Sequence, residues 1–289
     1  MGRFSRGAIY MILASFFFSL MSVLVKGSGA NLPPQELVLA RSLVVFSITA
    51  VMLRRKRLRL WGSHQKLLIL RGVFGFLGLS AFFYTLTVLP ITDSVTLNYS
   101  SPLFTALLAQ FFLKESSSGR QWGFYLLAFL GILLIIRPGF SLQTVPALIG
   151  LGGAFFAGLA YIAVRQLRHS DHPLTIVLYF QAVAILLSLP WVIPNFVMPR
   201  GWQWLMLLGM GIATQAAQVF LTKSLHEDTA ARATNVSYIG VVFSTIWGIV
   251  FFFEIPDWRT VLGAAITVFA IVRIGAGGEQ TEVKDKDEG

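Results

Sequence analysis

The sequence predicts an all-α polytopic membrane protein: ten transmembrane helices, forming two inverted five-helix repeats, with both termini cytoplasmic. Three observations predict this. The 289 residues are 55% hydrophobic and only 12% charged, about half the charge of a soluble domain. Apolar runs long enough to span a bilayer, about 20 residues each, follow one another with short breaks. Landmark residues also recur at a constant spacing of 139 positions.

The first run, 6–26, is too long for the core of a signal peptide, and no A-x-A-like site follows it. It reads as a retained first helix. The second, 34–53, opens at Pro33-Pro34, where proline suits a first helical turn. Leu89-Pro90 parts the third run, 66–89, from the fourth, 93–113. The fifth, 119–137, stops before Pro138-Gly139. The remaining five span 145–165, 172–193, 201–223, 229–252 and 257–275, with Pro199-Arg200-Gly201 ahead of the eighth. The polar stretch G-E-Q-T-E-V-K-D-K-D-E-G reads as a disordered tail. The expected units are residues 1–140, 141–276 and the tail 277–289.

Lys and Arg are retained on the cytoplasmic side of a membrane. With the N-terminus inside, 18 of the 23 cations fall on the inner side, including the run R-R-K-R-L-R from Arg54 and also Arg71. Lys26, Arg137, Arg200 and Arg259 fall outside, and Arg41 lies within the second helix. The net charge of +10 is therefore topological, and no nucleic-acid partner is expected. The chain has no Cys, and its four His show no metal-ligand spacing. Neither a metal nor a cofactor is expected.

The run A-S-F-F-F-S-L-M-S-V-L-V-K from Ala14 is echoed by G-A-F-F-A-G-L-A-Y-I-A-V-R from Gly153. At the same offset Pro34 recurs as Pro173, Gly72 as Gly211, Tyr99 as Tyr238, Phe104 as Phe243 and Glu115 as Glu254. Each half holds five helices. Five is odd, so the second half enters the membrane from the opposite side, a design associated with alternating-access transporters.

The run L-P-I-T-D-S-V-T-L-N-Y-S-S-P-L-F-T-A-L-L-A-Q-F-F-L-K-E, followed by Q-W-G, resembles the drug/metabolite transporter superfamily in its EamA-type branch. The second copy keeps Phe243 and Glu254 but has Val241 in place of the proline. R-G-x-x-G from Arg71, with D-S-V-T-L-N-Y-S-S-P-L-F, is similar to a branch of organic-anion and S-adenosylmethionine carriers. The resemblance implies a carrier with a central cavity lined by both halves.

Polar groups in a bilayer are costly and usually face a cavity or one another. Ser15, Ser19, Ser22 and Lys26 share one face of the first helix. They form either a cavity wall or a seam for close packing. Gln215 and Gln218 share a face of the eighth. Asp93, Thr96 and Tyr99 line the fourth, and Asn235 and Tyr238 the ninth. Tyr99 and Tyr238 are the expected aromatic walls of a midplane site. Ser22 and its counterpart Tyr161 mark where the halves diverge. Arg41 lies about 10 Å into the membrane. It either pairs with Glu36 or binds a substrate carboxylate or phosphate. Asp93 is the candidate for proton coupling.

The sequence thus predicts a multi-pass transporter of the inner (cytoplasmic) membrane, moving a small, anionic or zwitterionic organic metabolite by alternating access. The competing reading is a lipid-linked headgroup flippase, with a lateral opening and cations near the headgroup plane. An enzyme is not expected, because the chain has no G-x-S-x-G, no metal spacing and no intramembrane carboxylate pair. The expected partners are the substrate and the lipid bilayer. Monomer and homodimer both stay open.

Overall fold

A computed structural model describes residues 6–112, 119–136, 144–167, 170–227 and 236–287. Among these residues the chain forms eleven helices and no strand. They are α1 (Arg6–Gly29), α2 (Pro34–Arg55), α3 (Gln65–Val88), α4 (Ile91–Asn98), α5 (Ser101–Phe112), α6 (Gly119–Ile136), α7 (Thr144–Leu167), α8 (Pro173–Asn195), α9 (Gln203–Glu227), α10 (Ile239–Phe252) and α11 (Trp258–Asp287).

Six of them are long and apolar enough to cross a membrane: α1, α2, α3, α7, α8 and α9. Their outward faces are apolar. Ile193, Leu186, Leu205 and Ile212 stand exposed, as do Phe111 of α5 and Leu126 of α6. Such a continuous apolar exterior is unstable in water and natural in lipid. The protein is a multi-pass membrane protein.

One expectation from the sequence changes. The fourth run is not one helix, because it breaks at Tyr99 and Ser100 into α4 and α5. Pro102 explains the break. It has no N–H, and its ring crowds the carbonyl four residues earlier. The Ser100 amide accordingly donates to Leu97 O at 3.0 Å, three residues back. At the far end, α11 spans Trp258–Asp287.

Packing crosses between the halves rather than staying within them. The most extensive contacts pair α1 with α9, α3 with α7, α6 with α11, and α2 with α8. The 139-residue offset exchanges the first two pairs with each other and maps α2 onto α8. Glycines show why these helices can approach. A Cβ on Gly72 would lie 2.7 Å from Val183, and one on Gly211 would collide with Val44. Gly72 and Gly211 are counterparts, and so are Val44 and Val183.

Overpacking such a contact costs about 1–3 kcal/mol. Gly211→Leu should therefore lower the thermal unfolding temperature in detergent, and adding Val44→Ala should recover part of the loss. The pair Gly72→Leu with Val183→Ala should behave alike.

Candidate functional site

The break in the fourth run has a partner. Tyr238 forms a turn just before α10, and the Val241 amide donates to its carbonyl at 3.0 Å, again three residues back. Here no proline forces the change. Instead Gly240 lies under the Tyr99 ring, where a Cβ would strike the phenol oxygen. The two tyrosine rings stand 5.4 Å apart, tilted by 47°. The Tyr238 hydroxyl is buried and has no protein partner among the described residues. The Tyr99 side chain meets Ser15 of α1, and the Ser15 hydroxyl donates to Ser237 O at 3.2 Å. The break in the fourth run and the turn that opens α10 thus face each other at equivalent places in the two halves.

Tyr161 of α7 lies within electrostatic range of both tyrosines. Tyr161 itself is 50% exposed. Its counterpart Ser22 is buried, and its hydroxyl donates to Phe18 O.

Arg41 is 3% exposed. Its Nε donates to Thr214 Oγ1 at 3.3 Å, and its Nη1 has no protein partner among the described residues. The guanidinium lies over Phe180, 5.8 Å from the ring centroid. Phe180 is the repeat counterpart of Arg41, so the two meet where α2 crosses α8. Arg71 of α3 lies over the same ring at 4.2 Å. Its Nε and Nη1 are likewise unpartnered, and it is within electrostatic range of Tyr161. Counted among the cytoplasmic-side cations by sequence, Arg71 in fact turns inward.

The motif R-G-x-x-G now has a physical reading. Gly72 lets α8 approach α3. A Cβ on Gly75 would sit 2.6 Å from Arg71 Nη1 and 2.8 Å from the Phe180 ring. Next to Arg41 and Phe180 in sequence, Ser42 and its counterpart Gln181 are fully buried with unpartnered polar atoms.

The expected Glu36–Arg41 pair does not form. Glu36 Oε2 accepts the Val197 N–H at 3.1 Å. A spacing of five residues is out of register for a helical ion pair. Neither Arg41 nor Arg71 has a carboxylate within ion-pair distance among the described residues.

Other sequence candidates are placed as follows. The Ser19 hydroxyl donates to Phe16 O and accepts from Trp247 Nε1 at 3.0 Å. Thr96 donates to Thr92 O. Gln215 ties α9 to α2, accepting from Thr49 and donating to Met52 Sδ. Gln218 is half-buried on α9. Asp93 sits in the first turn of α4, the end of a helix that favours a carboxylate. Asn235 lies outside the described residues.

Apolar helices, a packing pattern exchanged by one offset, and a polar site within the membrane define a polytopic protein of the carrier type. Comparison makes this specific. The EamA-like transporter family matches twice, over residues 5–137 and 144–276. The chain belongs to the EamA-like transporter family. It is 36% identical to the pseudopaline exporter CntI of Pseudomonas aeruginosa (strain UCBPP-PA14), over 93% of this chain and 95% of that one. It is 25% identical to a riboflavin transporter of Vibrio cholerae, over 93% and 92% respectively. A solved crystal structure shares the fold with a TM-score of 0.66 at 20% identity, covering 92% of this chain and 94% of the other. The two named relatives, an exporter and a transporter, are not enzymes by description.

Proposed function

We propose that the protein is a secondary transporter, moving a small anionic or zwitterionic metabolite across the cytoplasmic membrane by alternating access. One observation carries the reading. The break before α5 and the turn before α10 fall at repeat-equivalent tyrosines that face each other between the halves. Carriers built from inverted repeats place their sites at such discontinuities, near the bilayer midplane. The reading includes two inverted repeats, 1–140 and 141–276, with both termini cytoplasmic. Because packing crosses between the halves, each rocking unit draws helices from both: α1, α9 and α10 on one side, α7, α3 and α5 on the other. Tyr99 and Tyr238 lie where these units meet.

A headgroup flippase is less well supported. A groove of ≈ 760 Å³ does open between α3, α7 and the end of α8, lined by Gln35, Ser80, Tyr84, Trp191 and Asn195 among others. It carries no cation to hold a lipid phosphate.

The test is counterflow of radiolabelled amino acids and organic acids in proteoliposomes. Flux of a soluble solute is expected. Headgroup flipping without any soluble flux would overturn the proposal. Tyr238→Phe refines the test. Its hydroxyl has no protein partner to lose, so the unfolding temperature should hold. Flux should fall by about fivefold, the worth of one hydrogen bond near 1 kcal/mol.

A further inference from the structure

The geometry points to a dianion: we propose that Arg41 and Arg71 together hold a substrate carrying two negative charges, with Phe180 as their shared wall. The inference rests on the transporter reading and names the substrate class of that same site.

Two guanidinium groups share one phenyl ring inside a membrane protein. Both stay charged at any physiological pH. They repel each other in a medium of low dielectric. Glu36, the nearest acidic residue in sequence to Arg41, is turned to Val197. Arg41 Nη1 and Arg71 Nε and Nη1 have no protein acceptor among the described residues. Buried polar groups are nearly always satisfied, and orphaned ones ask for an explanation. A protein that needed these arginines only for packing would place an acid or a carbonyl between them.

The repeat sharpens the argument. The counterparts of Arg41 and Arg71 are Phe180 and Met210, so the positive charge belongs to one half only. Gly75 clears the space beside Arg71 that a side chain would fill, while its counterpart Thr214 accepts from Arg41 Nε. A shared ring and two planar forks suit two carboxylates, or one phosphoryl group, attached to a small carbon skeleton.

The experiment is thermal unfolding of the purified full-length protein with succinate, propionate and glycerol 3-phosphate, followed by counterflow of the same solutes. Succinate should stabilise at about tenfold lower concentration than propionate, because a second charged hydrogen bond is worth about 1.5–3 kcal/mol. R41Q and R71Q should each abolish that preference. R71K keeps the charge but loses the planar fork, and it should weaken the preference without removing it. It also serves where R71Q fails to fold. A response to glycerol 3-phosphate alone supports the clamp and assigns its charge to a phosphoryl group. Equal responses to succinate and propionate would overturn it, and so would a dianion preference that survives R41Q and R71Q. If neutral solutes still exchange in that case, the transporter reading stands without the clamp. If folded protein moves no solute at all, the transporter reading itself falls.

Discussion

Gly75→Val is expected to abolish transport while leaving the protein folded. The glycine sits on α3 one turn beyond Arg71, on the same helical face. A Cβ there would already lie 2.6 Å from Arg71 Nη1 and 2.8 Å from the Phe180 ring. The two methyl groups of valine cannot share that space with the guanidinium. The flexible side chain has to leave, because the ring is held in the α3–α8 contact, where Gly72 meets Val183. The move costs little stability, since Arg71 gives up no protein hydrogen bond through Nε or Nη1. Ligand binding loses one charged partner. Truncating one member of a buried charge pair costs about 2–5 kcal/mol, which is roughly a hundredfold in affinity. Counterflow should therefore fall to background, with the unfolding temperature within a few degrees of the parent. Gly75→Ala, with one methyl, should fall between them. Full transport by Gly75→Val would show that the position of Arg71 does not matter to the substrate.

The existence and approximate ends of the spans were legible because apolar runs of bilayer length leave few alternatives. So was the offset, carried by Pro, Gly and Tyr landmarks. The broken helix was not anticipated, although Pro102 was in plain view. Apolar runs in membrane proteins often tolerate a proline, so hydropathy alone cannot tell a kink from a break. Tyr238 offered no proline at all, and the close approach of Gly240 to a ring from the other half is a tertiary contact. Arg41 was singled out by its depth. Arg71 was missed because it lies six residues into its helix, where a cation usually serves topology. Its signal was the pair of glycines at 72 and 75, which only tertiary contact explains. Several hydroxyls chosen from helical periodicity, such as Ser22 and Thr96, bond to their own helix instead. Periodicity finds a face, and the partner on that face is decided elsewhere in the chain.

Glu254→Gln is expected to shift the protein toward a state open at the end of the bundle that carries Lys26. There Lys26 Nζ pairs with Glu254 Oε1 at 2.8 Å and donates to Leu89 O at 2.6 Å. Glu254 Oε2 also accepts the Ile91 N–H at 2.8 Å, one of the free donors at the start of α4. One carboxylate thus ties the segment after α10 to α1 and α4 at once. Phe253, in the left-handed region at φ 55°, turns the chain so that Glu254 can reach both. The pair is partly shielded, at 12% and 24% side-chain exposure. Its loss is therefore worth more than a surface bridge of 0–1 kcal/mol and less than a fully buried one of about 3–5. A change near 1.4 kcal/mol moves a two-state equilibrium about tenfold. The chain has no Cys, so a single Thr245→Cys, beside Thr92 on the inward side of the clamp, reports opening by its rate of maleimide labelling. Glu254→Gln should raise that rate by about tenfold, and the charge swap Lys26→Glu with Glu254→Lys should bring it partly back. The swap restores the pair but not the acceptor for Ile91, so a full return would show that the cap contributes nothing. By the offset, Arg165 and Glu115 are the counterparts in sequence. In a carrier that alternates between two closures, Glu115→Gln should lower the same labelling rate. If both substitutions change the rate in the same direction, the two ends do not trade closure against each other.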